Sequence, residues 1–229
     1  MRVLLGLVVL LGALFVIADR VAVSVAEDQV ADRIAERGDL AGPPEVDITG
    51  FPFLTQAVAG RYDEVRIALT AADLGQPEGT DADVALRGVE VPLSDVLSGS
   101  VQQVPVERVD GTATLSYALL SAQLGGDTRL EREGDGLRIT RTVDLLGQQV
   151  PLTASGDVTL HGSDLVLDVQ QAAGAGVDLP GFVVDRATDL LDLRYTVPPL
   201  PFGLQLTRVR PADDGVVVDV EATGTVIGG

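Results

Sequence analysis

The feature that most restricts what this chain can fold into is a two-residue period of apolar side chains through its second half. Leu137, Ile139, Val143 and Leu145 form one such series. Val150, Leu152, Ala154, Val158 and Leu160 form a second, Leu165, Leu167 and Val169 a third, and Val216, Val218, Val220 and Ala222 a fourth. Successive side chains of an extended strand point to opposite faces, so each series predicts a strand with one apolar and one polar face, the pattern of an antiparallel sheet. Asp135-Gly136, His161-Gly162-Ser163 and Asp213-Asp214-Gly215 supply the residues of the connecting turns. The same period runs through Val65, Ile67, Leu69 and Ala71 and resumes after the polar stretch 75–81 with Val84 and Leu86. At Gly88 it changes phase to Val89 and Val91, as a β-bulge would make it do.

Helical spacing occupies the remainder. Over residues 19–37, Val23, Ala26, Val30 and Ile34 recur at intervals of three and four, and Gly38 is the predicted stop. The opposite side of that helix is acidic, which suits packing on a sheet better than lying on a membrane surface. Short helices are expected over 92–97 and 117–124. A longer one is expected over 180–192, carrying Phe182, Val183, Ala187, Leu190 and Leu191, with a proline-stiffened crossing at 197–201. Together these predict an α+β fold: a long, curved antiparallel sheet whose one apolar face packs against the N-terminal helix and the helices of the C-terminal half.

The chain opens differently. Arg2 is followed by an unbroken apolar run over residues 3–18, about 24 Å long at 1.5 Å per residue and short of the roughly 30 Å of a bilayer's hydrocarbon core. A positive residue, a short apolar segment and the compact Val16-Ile17-Ala18 predict a secretory signal cut near Ala18, with an uncleaved N-terminal membrane anchor as the alternative. Residues 19–229 are then read as a single α+β domain, with no linker or repeat dividing them.

Composition removes several functions. Thirty-four acidic residues against sixteen basic ones leave a formal charge of -18, which repels a phosphate backbone and excludes nucleic acid as a natural partner. Adsorption to an anionic bilayer by charge alone is disfavoured for the same reason. With no cysteine there is no disulfide, no thiolate nucleophile and no cysteine to carry a lipid. His161, the single histidine, falls on the polar phase of its strand at a hairpin. No Gly-x-Ser-x-Gly elbow, phosphate-binding loop or complete dinucleotide fingerprint occurs. Asp81, Asp83, Asp213 and Asp214 lie in turns, where carboxylates bond local backbone, and none has the spacing of an EF-hand. The sequence therefore predicts no catalytic residue, no metal and no cofactor.

Two places break the pattern. The stretch Asp47-Ile48-Thr49-Gly50-Phe51-Pro52-Phe53-Leu54-Thr55-Gln56 gathers two of the five phenylalanines around a glycine and a proline. Gly50 permits a sharp turn and Pro52 presets φ for a first helical turn, which would hold Phe51, Phe53 and Leu54 on a rigid corner. That corner is either a core plug or the lip of an apolar cleft. The second place is Arg141, which shares the phase of Leu137 and Ile139. In a regular strand its guanidinium faces the apolar side, where an unpaired charge is costly. An internal carboxylate, a local bulge or a lipid phosphate would each answer it. Arg61 and Arg66 are further basic candidates.

The run from Gly50 to Gln56, set a short helix downstream of an apolar N-terminal segment and followed by Tyr62-Asp63-Glu64-Val65 and alternating strands, resembles the LmeA-like phospholipid-binding proteins of actinobacterial cell envelopes, from about Val21 to the C-terminus. The resemblance implies an exported, membrane-associated protein of a periplasm-like space that binds phospholipid, with family members linked to mannan-lipid (lipomannan) assembly. Gly50, Phe51, Pro52 and Phe53 carry over as motif positions and no catalytic residue does. Two functions are expected. In the first, acyl chains lie between the aliphatic sheet face and the helices, lined by Phe51, Phe53, Leu54, Leu152, Phe182 and Val218, with an anionic head group at Arg141 and Arg61. In the second, the chain is a non-catalytic scaffold whose apolar face is a closed core. The alternation is the same for both.

Overall fold

The structure is a computed structural model that describes residues 1–124, 128–145, 148–162, 164–174, 194–196 and 203–228. In chain order its elements are α1 (Arg2–Gly38), β1 (Glu45–Thr49), α2 (Phe53–Ala59), β2 (Arg61–Leu69), α3 (Ala71–Leu74), β3 (Asp81–Glu90), α4 (Leu93–Ser98), β4 (Gln103–Ser116), α5 (Tyr117–Leu124), β5 (Thr128–Glu133), β6 (Gly136–Leu145), β7 (Gln148–His161), β8 (Asp164–Gly174), β9 (Arg194–Thr196), β10 (Gln205–Pro211) and β11 (Gly215–Gly228). One sheet has the order β1-β2-β3-β4-β11-β10 and the other β5-β6-β7-β8-β9. The pairs β1 with β2, β10 with β11, and each neighbouring pair from β5 to β9 are antiparallel. This is the α+β class read from the sequence, with the N-terminal helix packed on sheet. The strands are shared between two sheets, because alternation marks the apolar face of a strand and says nothing about its neighbour. The helix expected over 180–192 and the crossing at 197–201 lie outside the described residues.

Residues 1–69, 83–110 and those from 222 onward form one compact unit. Its α1 is a single helix of 37 residues, about 55 Å long at 1.5 Å per residue, and it passes Ala18 without a break. Val23 and Ala31 are buried, Ala26, Val30 and Ile34 are half-buried, and Val46 and Ile48 of the adjoining β1 are buried as well. The Ile48 N–H donates to Glu27 Oε1 at 2.9 Å, tying strand to helix. The left-handed residue that ends α1 is Asp39, at φ 50°, and not Gly38, which remains helical. Aspartate is among the few residues other than glycine that accept this conformation. At Gly88 the phase change is present as a left-handed residue with φ 62°. A Cβ there would come within 2.7 Å of Glu107 Cβ, and Val89 beyond it is buried.

Residues 70–82 and 111–221 form the second unit. The alternation read as far as Ala71 stops at Leu69, because Thr70 caps α3 in a capping box with Asp73. The core brings together Leu130 of β5, Leu137 and Ile139 of β6, Leu152 and Ala154 of β7, and Val216 and Val218 of β11. Burying each large aliphatic side chain contributes about 1.5–3 kcal/mol. Tyr117 packs against this cluster while its hydroxyl donates to the Ala212 carbonyl at 2.8 Å. Glu133 pairs with Gly136, so the β5–β6 turn is Gly134-Asp135, one residue earlier than expected, with Gly134 at φ 63°. His161 pairs with Asp164 at the β7–β8 hairpin and is exposed.

Candidate functional site

The phenylalanine corner is built around a carboxylate the sequence did not single out. Gly50 takes φ 102°, the Phe51–Pro52 bond is cis, and Pro52 is the N-cap of α2 with an extended backbone, so it precedes the first helical turn and does not occupy it. Proline offers no side-chain acceptor, so the free amides of the first turn need one from elsewhere. Asp19 of α1 supplies it: the Leu54 N–H donates to Asp19 Oδ1 at 2.8 Å, and Arg20 holds the other oxygen at 2.7 Å. Asp19 is 0% exposed. Gln56 closes the corner from the other side, donating to the Thr49 carbonyl at 3.2 Å and accepting from the Asp63 N–H at 2.9 Å.

The two phenylalanines are thereby sent in different directions. Phe53 is 6% exposed, with its ring centroid 6.1 Å from that of Tyr62. Phe51 is 62% exposed and lies under the Arg20 guanidinium, 5.3 Å from the ring centroid, a cation–π arrangement. Leu54 is half-buried. Arg61 begins β2 and is already neutralised by Glu90 at 3.1 Å and Glu107 at 3.5 Å. Arg66 pairs with Glu64 at 3.2 Å.

Arg141, Leu152 and Val218 belong to the second unit. Leu152 and Val218 are members of its buried cluster. Across the sheet Arg141 is registered with Thr128 of β5 and Leu152 of β7, and directly paired residues share a face with Cβ atoms roughly 4.5–5.5 Å apart. The next row on that face is Leu130, Ile139 and Ala154, all buried. Arg141 is half-buried and has no ion pair or hydrogen bond among the described residues. Thr128 is 5% exposed, and among the described residues its buried hydroxyl has no hydrogen-bond partner. Period-two counting found Arg141 but had no means of finding Thr128. Phe182 lies outside the described residues.

The other face of the same strands is polar. Arg129, Glu131, Glu133, Arg138, Thr140, Thr153 and Ser155 line an open hollow of about 470 Å³. A hydrogen bond from Ser155 and an ion pair with Arg138 hold the Glu133 carboxyl below its ordinary value. Among the described residues no three histidine, aspartate or glutamate side chains are grouped to hold a metal.

A family model described as LmeA-like phospholipid-binding matches residues 17–221. The chain belongs to the LmeA-like phospholipid-binding family. Membership assigns it phospholipid binding, and the match takes in the phenylalanine corner, the Thr128–Arg141–Leu152 row and the Asp19 tie, while most of the exposed apolar part of α1 precedes it. No curated protein and no solved structure matches the chain. Within the LmeA-like family, then, it is the chain's own geometry that must say where a lipid is held.

Proposed function

We propose that the protein is an exported, non-catalytic phospholipid binder of the cell envelope, held at the membrane by α1. It keeps acyl chains along the aliphatic face of the five-stranded sheet and the head group at the row of Thr128, Arg141 and Leu152. The observation that carries this reading is a guanidinium without a carboxylate beside a buried hydroxyl without a partner among the described residues, next to the apolar row of Leu130, Ile139 and Ala154; Arg132, farther along the same face, is already paired with Asp213. An unanswered buried hydroxyl alone costs about 1–3 kcal/mol. A phosphodiester oxygen accepts from both groups, and each methylene buried beside them contributes about 0.8 kcal/mol. Arg141 is favoured over Arg61 because Arg61 already has two carboxylates. Retention of α1 is supported by its continuity through Ala18 into the buried Asp19. The resemblance to envelope proteins linked with lipomannan assembly makes that process the setting in which such a lipid holder would act.

The scaffold reading is favoured at one place only: Leu152 and Val218 sit in closed packing, so they bound the lipid site as its floor and do not open it. The test is lipid selectivity. Arg141→Ala should weaken binding of anionic phosphatidylglycerol by about 10- to 100-fold, the equivalent of a hydrogen bond to a charged group, with a smaller loss for phosphatidylcholine and unchanged circular dichroism. Equal losses for the two lipids would mark a packing defect and return the sheet to the scaffold reading.

A further inference from the structure

Residues 2–18 of α1 are exposed on every side, including Leu4, Leu7, Leu11 and Leu14. The first buried residue of the helix is Asp19, and it is the one whose carboxylate accepts the Leu54 N–H of α2. The bare apolar helix therefore gives way to the packed one at the level where α2 is fastened. Phe51 lies at that level too, because its ring stacks under Arg20, the residue after Asp19. Beyond it the exposed residues of α2 are Thr55, Val58 and Ala59, and the Thr55 hydroxyl is taken up by the Pro52 carbonyl at 2.7 Å. Val58 follows Leu54 by four residues, which places both on one helix face, and Val58 is 77% exposed. An aromatic ring, an arginine above it and aliphatic side chains beside it form the residue set that suits the boundary between acyl chains and head groups.

We propose that Phe51 and the Leu54–Val58 side of α2 form a second membrane contact, a collar that rests in the bilayer interface where α1 leaves it. This rests on the reading of α1 as a retained anchor. The collar fixes how the first unit meets the lipid surface, since the Asp19 tie prevents α2 from turning independently of α1. The attraction is apolar and local. A net charge of -18 gives the chain no general pull toward anionic lipid, so the contact forms equally on zwitterionic vesicles.

The chain has no tryptophan, so each substitution to tryptophan is a clean reporter. Full-length Phe51→Trp, Leu14→Trp and Arg37→Trp are reconstituted separately into phosphatidylcholine vesicles with bromine either near the head of the acyl chain or near its end. Phe51→Trp conserves an aromatic ring under Arg20. Leu14 reports the anchor, and Arg37 is about 27 Å along the helix from Asp19 at 1.5 Å per residue. The expected result is blue-shifted emission for Phe51→Trp, quenched more by shallow bromine than by deep bromine, with Leu14→Trp quenched by the deeper label and Arg37→Trp unquenched. If Leu14→Trp is quenched while Phe51→Trp behaves like Arg37→Trp, the anchor stands and the collar is wrong. If Leu14→Trp is also unquenched, the anchor reading fails and the collar falls with it.

Discussion

Replacing Thr128 by valine should make the protein more stable and a poorer lipid binder. The two side chains are nearly the same size and both are β-branched, so valine suits the strand position without new strain. What changes is the hydroxyl, which is buried without a partner among the described residues. Removing a buried, unpaired hydroxyl recovers its desolvation cost of about 1–3 kcal/mol. For a chain of this size that is roughly 2–4 °C in melting temperature for each kcal/mol. The same hydroxyl, donating to a charged phosphate oxygen, is worth about 1.5–3 kcal/mol in the complex, or about 10- to 100-fold in affinity. Thermal unfolding of lipid-free protein reads the first effect, and titration with phosphatidylglycerol in detergent micelles reads the second. Destabilisation by Thr128→Val would mean that the hydroxyl has a partner after all. A more stable variant with unaltered affinity would remove this row of the sheet from the head-group site.

Leu152→Ala should cost about 2–5 kcal/mol in chemical denaturation, since it truncates a residue of the closed cluster; a loss well under 1 kcal/mol would show that the site is already open. Glu133 should contribute to the acid limb of stability. Its carboxyl is held below the ordinary 4.5 by Ser155 and Arg138, so its contribution is complete above that value and is lost as the pH falls through the lower value of the folded state. Glu133→Gln should therefore flatten the stability profile below pH 4.5, and an unchanged acid limb would contradict the assignment.

Much of the fold could be read from the sequence, for identifiable reasons. The strands through Leu137–Ile139 and Leu152–Ala154 have one buried face, and burial on one face is what period two records, whereas at Val216–Val218 the intervening Val217 is buried too. α5 runs from Tyr117 to Leu124 and α4 from Leu93 to Ser98, close to expectation, because Gly99 and the residues around them give local signals. β4 was missed. Its sequence Gln103–Ser116 includes Pro105 and Gly111, and its buried positions, among them Val106 and Val109, are out of step with a two-residue period. The expected division at Ala18 rests on the compact Val16-Ile17-Ala18, a local signal, whereas the continuity of the helix beyond it is supported by a distant contact. A helix continues through Asp19 and Arg20 at little cost when a tertiary partner answers the charge, and that partner, the Leu54 amide, is 35 residues away. The candidate site divides in the same manner. The phase of Arg141 is local information, whereas the isolation of the Thr128 hydroxyl and the opposite fates of Phe51 and Phe53 are set by residues distant in the chain.

The row of Thr128, Arg141 and Leu152 is expected to hold one phospholipid. Native mass spectrometry of the full-length protein, purified in detergent from its own host, tests it most directly. The expected result is a mass increment equal to a single phospholipid that survives detergent exchange and is largely lost when Thr128→Val and Arg141→Ala are combined. The bare polypeptide mass, or a lipid adduct retained to the same extent by that double variant, would contradict it.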